Sequence, residues 1–383
     1  MRTITTTEDL ARFCDAAREG AYVTIDTEFI RERTYYARLC LIQMALPGDG
    51  EAVLVDPIEG DISLDPLFDL FRDESTVKVL HAARQDLEIF YIQGGVFPRP
   101  LFDTQVAAMV CGFGEQVGYE TLVRKVAKAA LDKTSRFTDW ARRPLSDAQK
   151  AYALADVTHL RVIYEVLSEQ IRSTGRIEWV EEELRTLTDP ATYVVDPATA
   201  WMRVKTRTNS GKFLSLVREL ARFREEYAQS NDIPRSRVFK DDALLELAST
   251  KPTSQDALAR SRLLQRDARR GAIADGILGA VRTAQAAAPE DHPVAENGRA
   301  QLDVDPALAD LLRVLLKTKS EESGVAAKLI ASAADLDAIA GGMRDLPALS
   351  GWRKEVFGDD ALRLCRGEIA LGTQAGRIAV IAL

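Results

Sequence analysis

The first 190 residues alternate two periodicities: stretches with side chains alternating by two, and stretches with apolar positions three or four apart. "AYVTIDTEFI" (21–30) predicts a strand, followed by a second at "ARLCLIQMAL" (37–46) and a third at "EAVLVDP" (51–57). The Pro47–Gly50 turn between the last two predicts an antiparallel meander. A helix over "LDPLFDLFRD", a short strand "VKVLHA" and a glycine-closed helix "RQDLEIFYIQGG" come next. After "LFDTQVAAMVCG" the pattern is mainly helical, through "YETLVRKVAKAAL" and the long run 146–175, with Ser146 as its expected N-cap.

"TDPATYVVDPATAW", with Pro190 and Pro197, reads as a linker. Beyond it strand signals nearly vanish. Helical periodicity fills 201–275, a second linker is expected at "AAAPEDHPVAENG" (286–298), and another helical block is expected from 303 to the C-terminus. A chain of 383 residues exceeds one ordinary domain, so two or three are expected, and the pattern divides it at 1–190, 201–280 and 303–383. The two helical blocks are similar in length, without a crisp internal repeat.

Composition narrows the chemistry. No run is long and apolar enough for a membrane span, and "MRTITTTEDL" lacks the pattern of a signal peptide, so a cytoplasmic protein without a membrane partner is expected. Cys14, Cys40, Cys111 and Cys365 are scattered, and the three histidines are far apart, which argues against a disulfide framework or a zinc site. A metal here would be bound by oxygen, favouring Mg2+ or Mn2+. The net charge of −8 divides unevenly: −11 over residues 1–200, +6 over 201–275 and −3 over 276–383. A basic segment between two acidic ones reopens nucleic acid as a partner.

Three short stretches carry candidate chemistry. Asp26 and Glu28 are two apart on the first long strand, so their side chains share a face. The plainer reading is a charged stripe on an edge strand; against it, Val23, Ile25, Phe29 and Ile30 mark a buried one. In "LHAARQDLEIF", Asp86 begins a helix, where a carboxylate ordinarily complements the helix dipole, and His81 reads as a strand-end residue rather than a ligand. In "QKAYALADVTHL", Tyr152 and Asp156 are four apart and share one helix face, Asp156 being the odd member of an apolar stripe. Each signal is weak alone. Together, four carboxylates and a tyrosine suit a pair of divalent cations, which would let Asp26 and Glu28 tolerate each other.

D-x-E, then H-x4-D, then Y-x3-D, in this order, resembles the DEDD superfamily of 3′–5′ exonucleases in its tyrosine-bearing branch. With "TIDTEF", "LHAARQDLEIF", "DWARRPLSDAQKAYALADV" and the helical C-terminal portion, the whole chain resembles the bacterial ribonuclease D family. The resemblance implies an α/β ribonuclease H-like exonuclease domain, with a mixed sheet and flanking helices, followed by two all-α helical domains of the helicase-and-RNase-D C-terminal (HRDC) type, the second more diverged. It implies that Asp26, Glu28, Asp86 and Asp156 hold two divalent cations, Mg2+ or Mn2+, and that Tyr152 orients the attacking water. It further implies a 3′–5′ exoribonuclease that releases 5′-mononucleotides and acts on tRNA precursors; a monomer without an organic cofactor is expected.

Arg38, Gln43, Trp140 and Arg143 lie in family-like stretches and are either substrate-path residues or ordinary packing and surface charge; Asp103 in "LFDTQ" reads as a helix cap. The lysines and arginines of 201–275, as in "RVKTRTNSGK" and "RSRVFK", are expected to face phosphates. Two rivals stand beside the exoribonuclease: a DNA exonuclease of the same superfamily, and an RNA-binding protein without catalysis, which the complete carboxylate set disfavours.

Overall fold

The computed structural model describes all residues except 133, 137, 209 and 295–302. Residue 209 of the expected helical domain and 295–298 of the expected second linker therefore lie outside the described residues. Two compact units are present, one of residues 1–28, 40–189 and 301–383, the other of residues 29–39 and 190–300.

The first unit is organised by a six-stranded mixed sheet: β1 (Arg2–Ile4), β2 (Tyr22–Ile30), β3 (Arg38–Ala45), β4 (Ala52–Val55), β5 (Val77–Leu80) and β6 (Leu101–Asp103). Their order is β1-β4-β3-β2-β5-β6, so the strand carrying Asp26 and Glu28 is internal. The β3–β4 pair is antiparallel with Ile42 opposite Val55, as the Pro47–Gly50 turn predicts, whereas β2–β5 and β5–β6 are parallel. The chain accordingly reaches β5 from β2 by way of β3, β4 and α2, and β6 from β5 by way of α3. The sheet is flanked by α1 (Thr7–Arg18), α2 (Asp65–Arg72), α3 (Arg84–Gly94), α4 (Thr104–Val110), a short α5 (Tyr119–Leu122), α6 (Asp147–Ser173) and α7 (Ile177–Leu187).

Local chemistry sets the ends of the helices that matter. Ser146 accepts from Gln149 N while Gln149 returns a side-chain bond, a capping box that starts α6 at the expected residue. Asp103 caps α4 through Gln105 N and Val106 N, and also accepts from Ala82 N and Ala83 N at the start of α3. One buried carboxylate thus anchors two helix beginnings. Arg161 of α6 reaches the carbonyls of Gly48 (2.6 Å) and Gly50 (2.9 Å), fixing the β3–β4 turn against the long helix.

The last segment of this unit contains the helix Pro306–Ser323 and shorter helices down to Cys365. It seats Trp352 on Trp179 of α7, ring centroids 4.6 Å apart and 12° from parallel. Arg353 pairs with Glu182 (2.5 Å) and with Glu183, so segment and helix share a core. Helix does not continue to the C-terminus: Ile369–Gln374 and Arg377–Ala382 form an antiparallel hairpin. Ala375 and Gly376 at its tip both have positive φ (51° and 76°), the twist that a two-residue hairpin turn requires, and the flanking apolar residues suit strands.

In the second unit, helices Gly211–Ser230, Asp241–Thr250 and Gly271–Ala286 enclose a core that includes Leu220, Phe239, Leu247 and Ile277.

Candidate active site

Within the first unit, Tyr22 Oη donates to Glu165 Oε1 at 2.6 Å and Thr24 Oγ1 to Val157 O at 2.9 Å. Both acceptors lie on α6, so the two-residue period of β2 aims Asp26 and Glu28 at the same helix. There they meet Asp156: one carboxylate oxygen from each of the three lies within 4.8 Å of the other two. Asp86, buried in the first turn of α3, supplies a fourth charge to the neighbourhood and accepts a hydrogen bond from Thr27.

The electrostatics follow from this crowding. Burial, then the charges of Asp156, Asp86 and Glu28, push the Asp26 carboxyl well above its usual range. Burial and the charges of Asp156 and Asp86 raise Glu28 to about 8. Burial brings Asp86 and Asp156 to about 7, in the second case against a hydrogen bond from Tyr152 and the charge of Arg136. Such groups share protons or a cation, and a set of hard oxygen donors with no nitrogen or sulfur among them fits Mg2+ or Mn2+. The residues present therefore fit a divalent cation.

Tyr152 lies one turn before Asp156 on α6, its ring 6.1 Å from that of Trp140. Burial and the nearby carboxylates push its phenol up, so the hydroxyl remains a neutral donor. Asp26, Tyr152 and Asp156 line a cavity of about 270 Å3 with His81, Tyr119, Glu120, Leu131 and Arg136. His81 directly follows β5, with Nδ1 2.9 Å from Thr104 Oγ1. Tyr119 Oη donates to Ala155 O at 3.1 Å, tying α5 to α6 across the cavity.

Of the other candidates, Trp140 neighbours Tyr152. Arg143 makes a bidentate pair with Asp56 (2.6 and 2.8 Å) and donates to Cys40 O and Trp140 O, fastening the segment before α6 to the sheet. Trp140 and Gln43 are buried, and Arg38 sits at the exposed end of β3. Sequence reasoning missed Arg136 and Tyr119. Arg136 lies in an aperiodic stretch whose only signal was its basic residues, and Tyr119 was absorbed into a helical pattern.

Residues 1–172 match the family model for a 3′–5′ exonuclease, and residues 213–281 match the HRDC domain. Fold and site together define a 3′–5′ exonuclease carrying an HRDC domain. The chain is 60% identical to the ribonuclease D of Jannaschia sp. (strain CCS1) over 381 residues, covering 99% of each. It is 47% identical to that of Granulibacter bethesdensis, covering 99% of this chain and 96% of the relative. The crystal structure of Escherichia coli RNase D, described as an exoribonuclease involved in structured RNA processing, superposes with a TM-score of 0.82 at 30% identity, covering 96% of this chain and 98% of that one. The chain belongs to the ribonuclease D family and is a 3′–5′ exoribonuclease. Among the described residues, no helix is long and apolar enough to cross a membrane.

Proposed function

We propose that this exoribonuclease shortens the 3′ ends of structured RNAs, tRNA precursors among them, by divalent-metal-dependent hydrolysis that releases 5′-mononucleotides. The observation that carries the reading is the convergence of Asp26, Glu28 and Asp156, with Asp26 and Asp156 lining one cavity beside Tyr152. Asp26, Glu28, Asp86 and Asp156 would hold two cations, Mg2+ or Mn2+. When bound, such a pair supplies charge stabilisation to the attacking and leaving oxygens of a phosphodiester. Tyr152, kept protonated by its surroundings, would orient the water for in-line attack by accepting from it at the hydroxyl oxygen, its one proton being held by Asp156. Arg136 on the cavity wall offsets negative charge near Glu28 and Asp156.

Residues 1–190 would form the catalytic domain, 201–280 an HRDC-type domain and 303–383 its diverged counterpart. The +6 charge of residues 201–275 supports phosphate contacts there, since an acidic catalytic domain would otherwise repel the polyanion away from its metals. The structured-RNA role rests on similarity to the Escherichia coli enzyme. The test compares nucleotide release from matched RNA and DNA 3′ ends with and without Mg2+. Release from RNA only with metal supports the reading. Preferred release from DNA, or binding without release, replaces it with one of the two rivals.

A further inference from the structure

Phe29–Leu39, which runs from the last two residues of β2 through the connecting loop to the first two of β3, is grouped with the helical unit. Asp232 Oδ1 accepts from the backbone N–H groups of both Tyr35 and Tyr36, each at 3.0 Å. Tyr35 Oη bonds to the fully buried Glu225, and Gln229 Nε2 donates to Tyr35 Oη (3.3 Å) and to Val195 O (2.8 Å). The Tyr35 ring packs on the helical core and meets Tyr36 edge-on at 4.8 Å. Glu225 also pairs with Arg235 at 3.5 Å, so one buried carboxylate links the segment to the short helix Arg235–Val238.

This clamp gathers positive charge. Arg31, Arg33 and Arg38 are exposed on the segment, and Arg235 and Arg237 are exposed on the short helix. Residues 29–39 carry a formal +2, a basic contribution that a count over 201–275 omits. Covalent reach sets the register: Arg33 is five residues beyond Glu28, so its Cα lies within about 18 Å of the Glu28 Cα.

We propose that segment 29–39 and the helix at 235–238 form one composite basic surface that contacts the backbone of the single-stranded 3′ tail of the RNA. This rests on the carboxylate site proposed above. Asp232 and Glu225 act as positioning residues that hold the arginine-bearing segment on the helical unit. The surface fits a polyanion: its cations come from two stretches distant in sequence, and guanidinium groups suit phosphate oxygens.

The test uses the full chain in chelator, so that binding is separated from chemistry, with a labelled RNA duplex bearing a single-stranded 3′ tail titrated over a range of salt. Arg33→Gln and Arg237→Gln are the informative variants, because neither side chain takes part in the clamp bonds above. Each is expected to reduce the slope of log K against log salt by about 0.7, and the pair by about 1.4, with no change on a blunt duplex. In nucleotide release, KM should rise severalfold with kcat retained. Asp232→Ala should reproduce the loss of slope, and Asp232→Asn, which keeps an acceptor oxygen, should restore it. A wild-type slope for Arg33→Gln overturns the composite surface, even if Arg237→Gln is weakened, as does a fall in kcat at saturating RNA. A wrong assignment of the catalytic carboxylates would leave these slopes untouched and show only in nucleotide release from the carboxylate variants.

Discussion

Asp156→Asn should stabilise the metal-free protein while abolishing its activity. Two full charges within 4.8 Å of each other repel by about 3.5 kcal/mol or more at an effective dielectric of about 20. Burial and crowding raise Glu28 to about 8 and Asp156 to about 7, so at pH 8 Asp156 is mostly ionised beside a half-ionised Glu28. Removing the Asp156 charge then relieves on the order of 1–3 kcal/mol. Because these folded-state values lie above the ordinary carboxylate values, ionisation disfavours the fold. The wild-type apoprotein therefore loses stability as pH rises from about 4 through 7 to 8, and the cluster contributes nothing where both folded and unfolded chains are protonated. The gain from Asp156→Asn should accordingly appear at pH 8 and fade toward pH 4. In thermal denaturation with chelator it corresponds to roughly 2–12 °C. Adding Mn2+ at a hundredfold excess over its Kd should stabilise the wild type by about 2.7 kcal/mol and the variant by much less. Asn retains an acceptor for Tyr152, so loss of that bond should not mask the effect. A less stable Asp156→Asn apoprotein at pH 8, with an undiminished response to Mn2+, would refute the crowding and the shared-cation reading together.

Tyr152→Phe should lower kcat with KM little changed, because the hydroxyl orients water while the ring still packs beside Trp140; a raised KM at constant kcat would assign it to substrate binding instead. Asp103→Ala should cost about 3 kcal/mol or more, since it leaves four backbone donors at the starts of α3 and α4 without their acceptor, as chemical denaturation would show. Arg143→Ala should cost about 3–5 kcal/mol by stranding the buried Asp56 carboxylate, while activity per folded molecule persists; wild-type stability with lost activity would move Arg143 into the substrate path. Deleting 303–383 should lower the melting temperature of the remainder, because Trp179 loses its stacked partner and Glu182 and Glu183 lose Arg353.

What could be read from the residues was whatever local periodicity encodes. The two-residue period of β2 placed Asp26 and Glu28 on one face, the four-residue spacing on α6 placed Tyr152 beside Asp156, and Ser146 marked where α6 begins. Two strands escaped because they are three residues long: "RTI" offers too few positions to show alternation, and "LFD" runs into an apolar helix. The C-terminal hairpin was readable in principle, since "GTQAGRIAV" has a turn between alternating residues, but the helical pattern before it dominated. Arg143 could not be assigned from sequence because its partner, Asp56, is 87 residues away. The grouping of 29–39 with the helical unit had the same cause: it depends on Asp232 and Glu225, nearly 200 positions on, and no local pattern announces such a partner.

The carboxylate site is tested most directly by the release of labelled 5′-mononucleotides from an RNA 3′ end by wild type and Asp26→Asn across a titration of Mg2+. Wild-type release should require the cation. Asp26→Asn should be slower by on the order of 10^3-fold or more at every concentration, with RNA affinity in chelator retained, because the lost carboxylate acts on the transition state rather than on binding. Substantial turnover by Asp26→Asn at saturating Mg2+, or release by the wild type in chelator, would contradict the assignment.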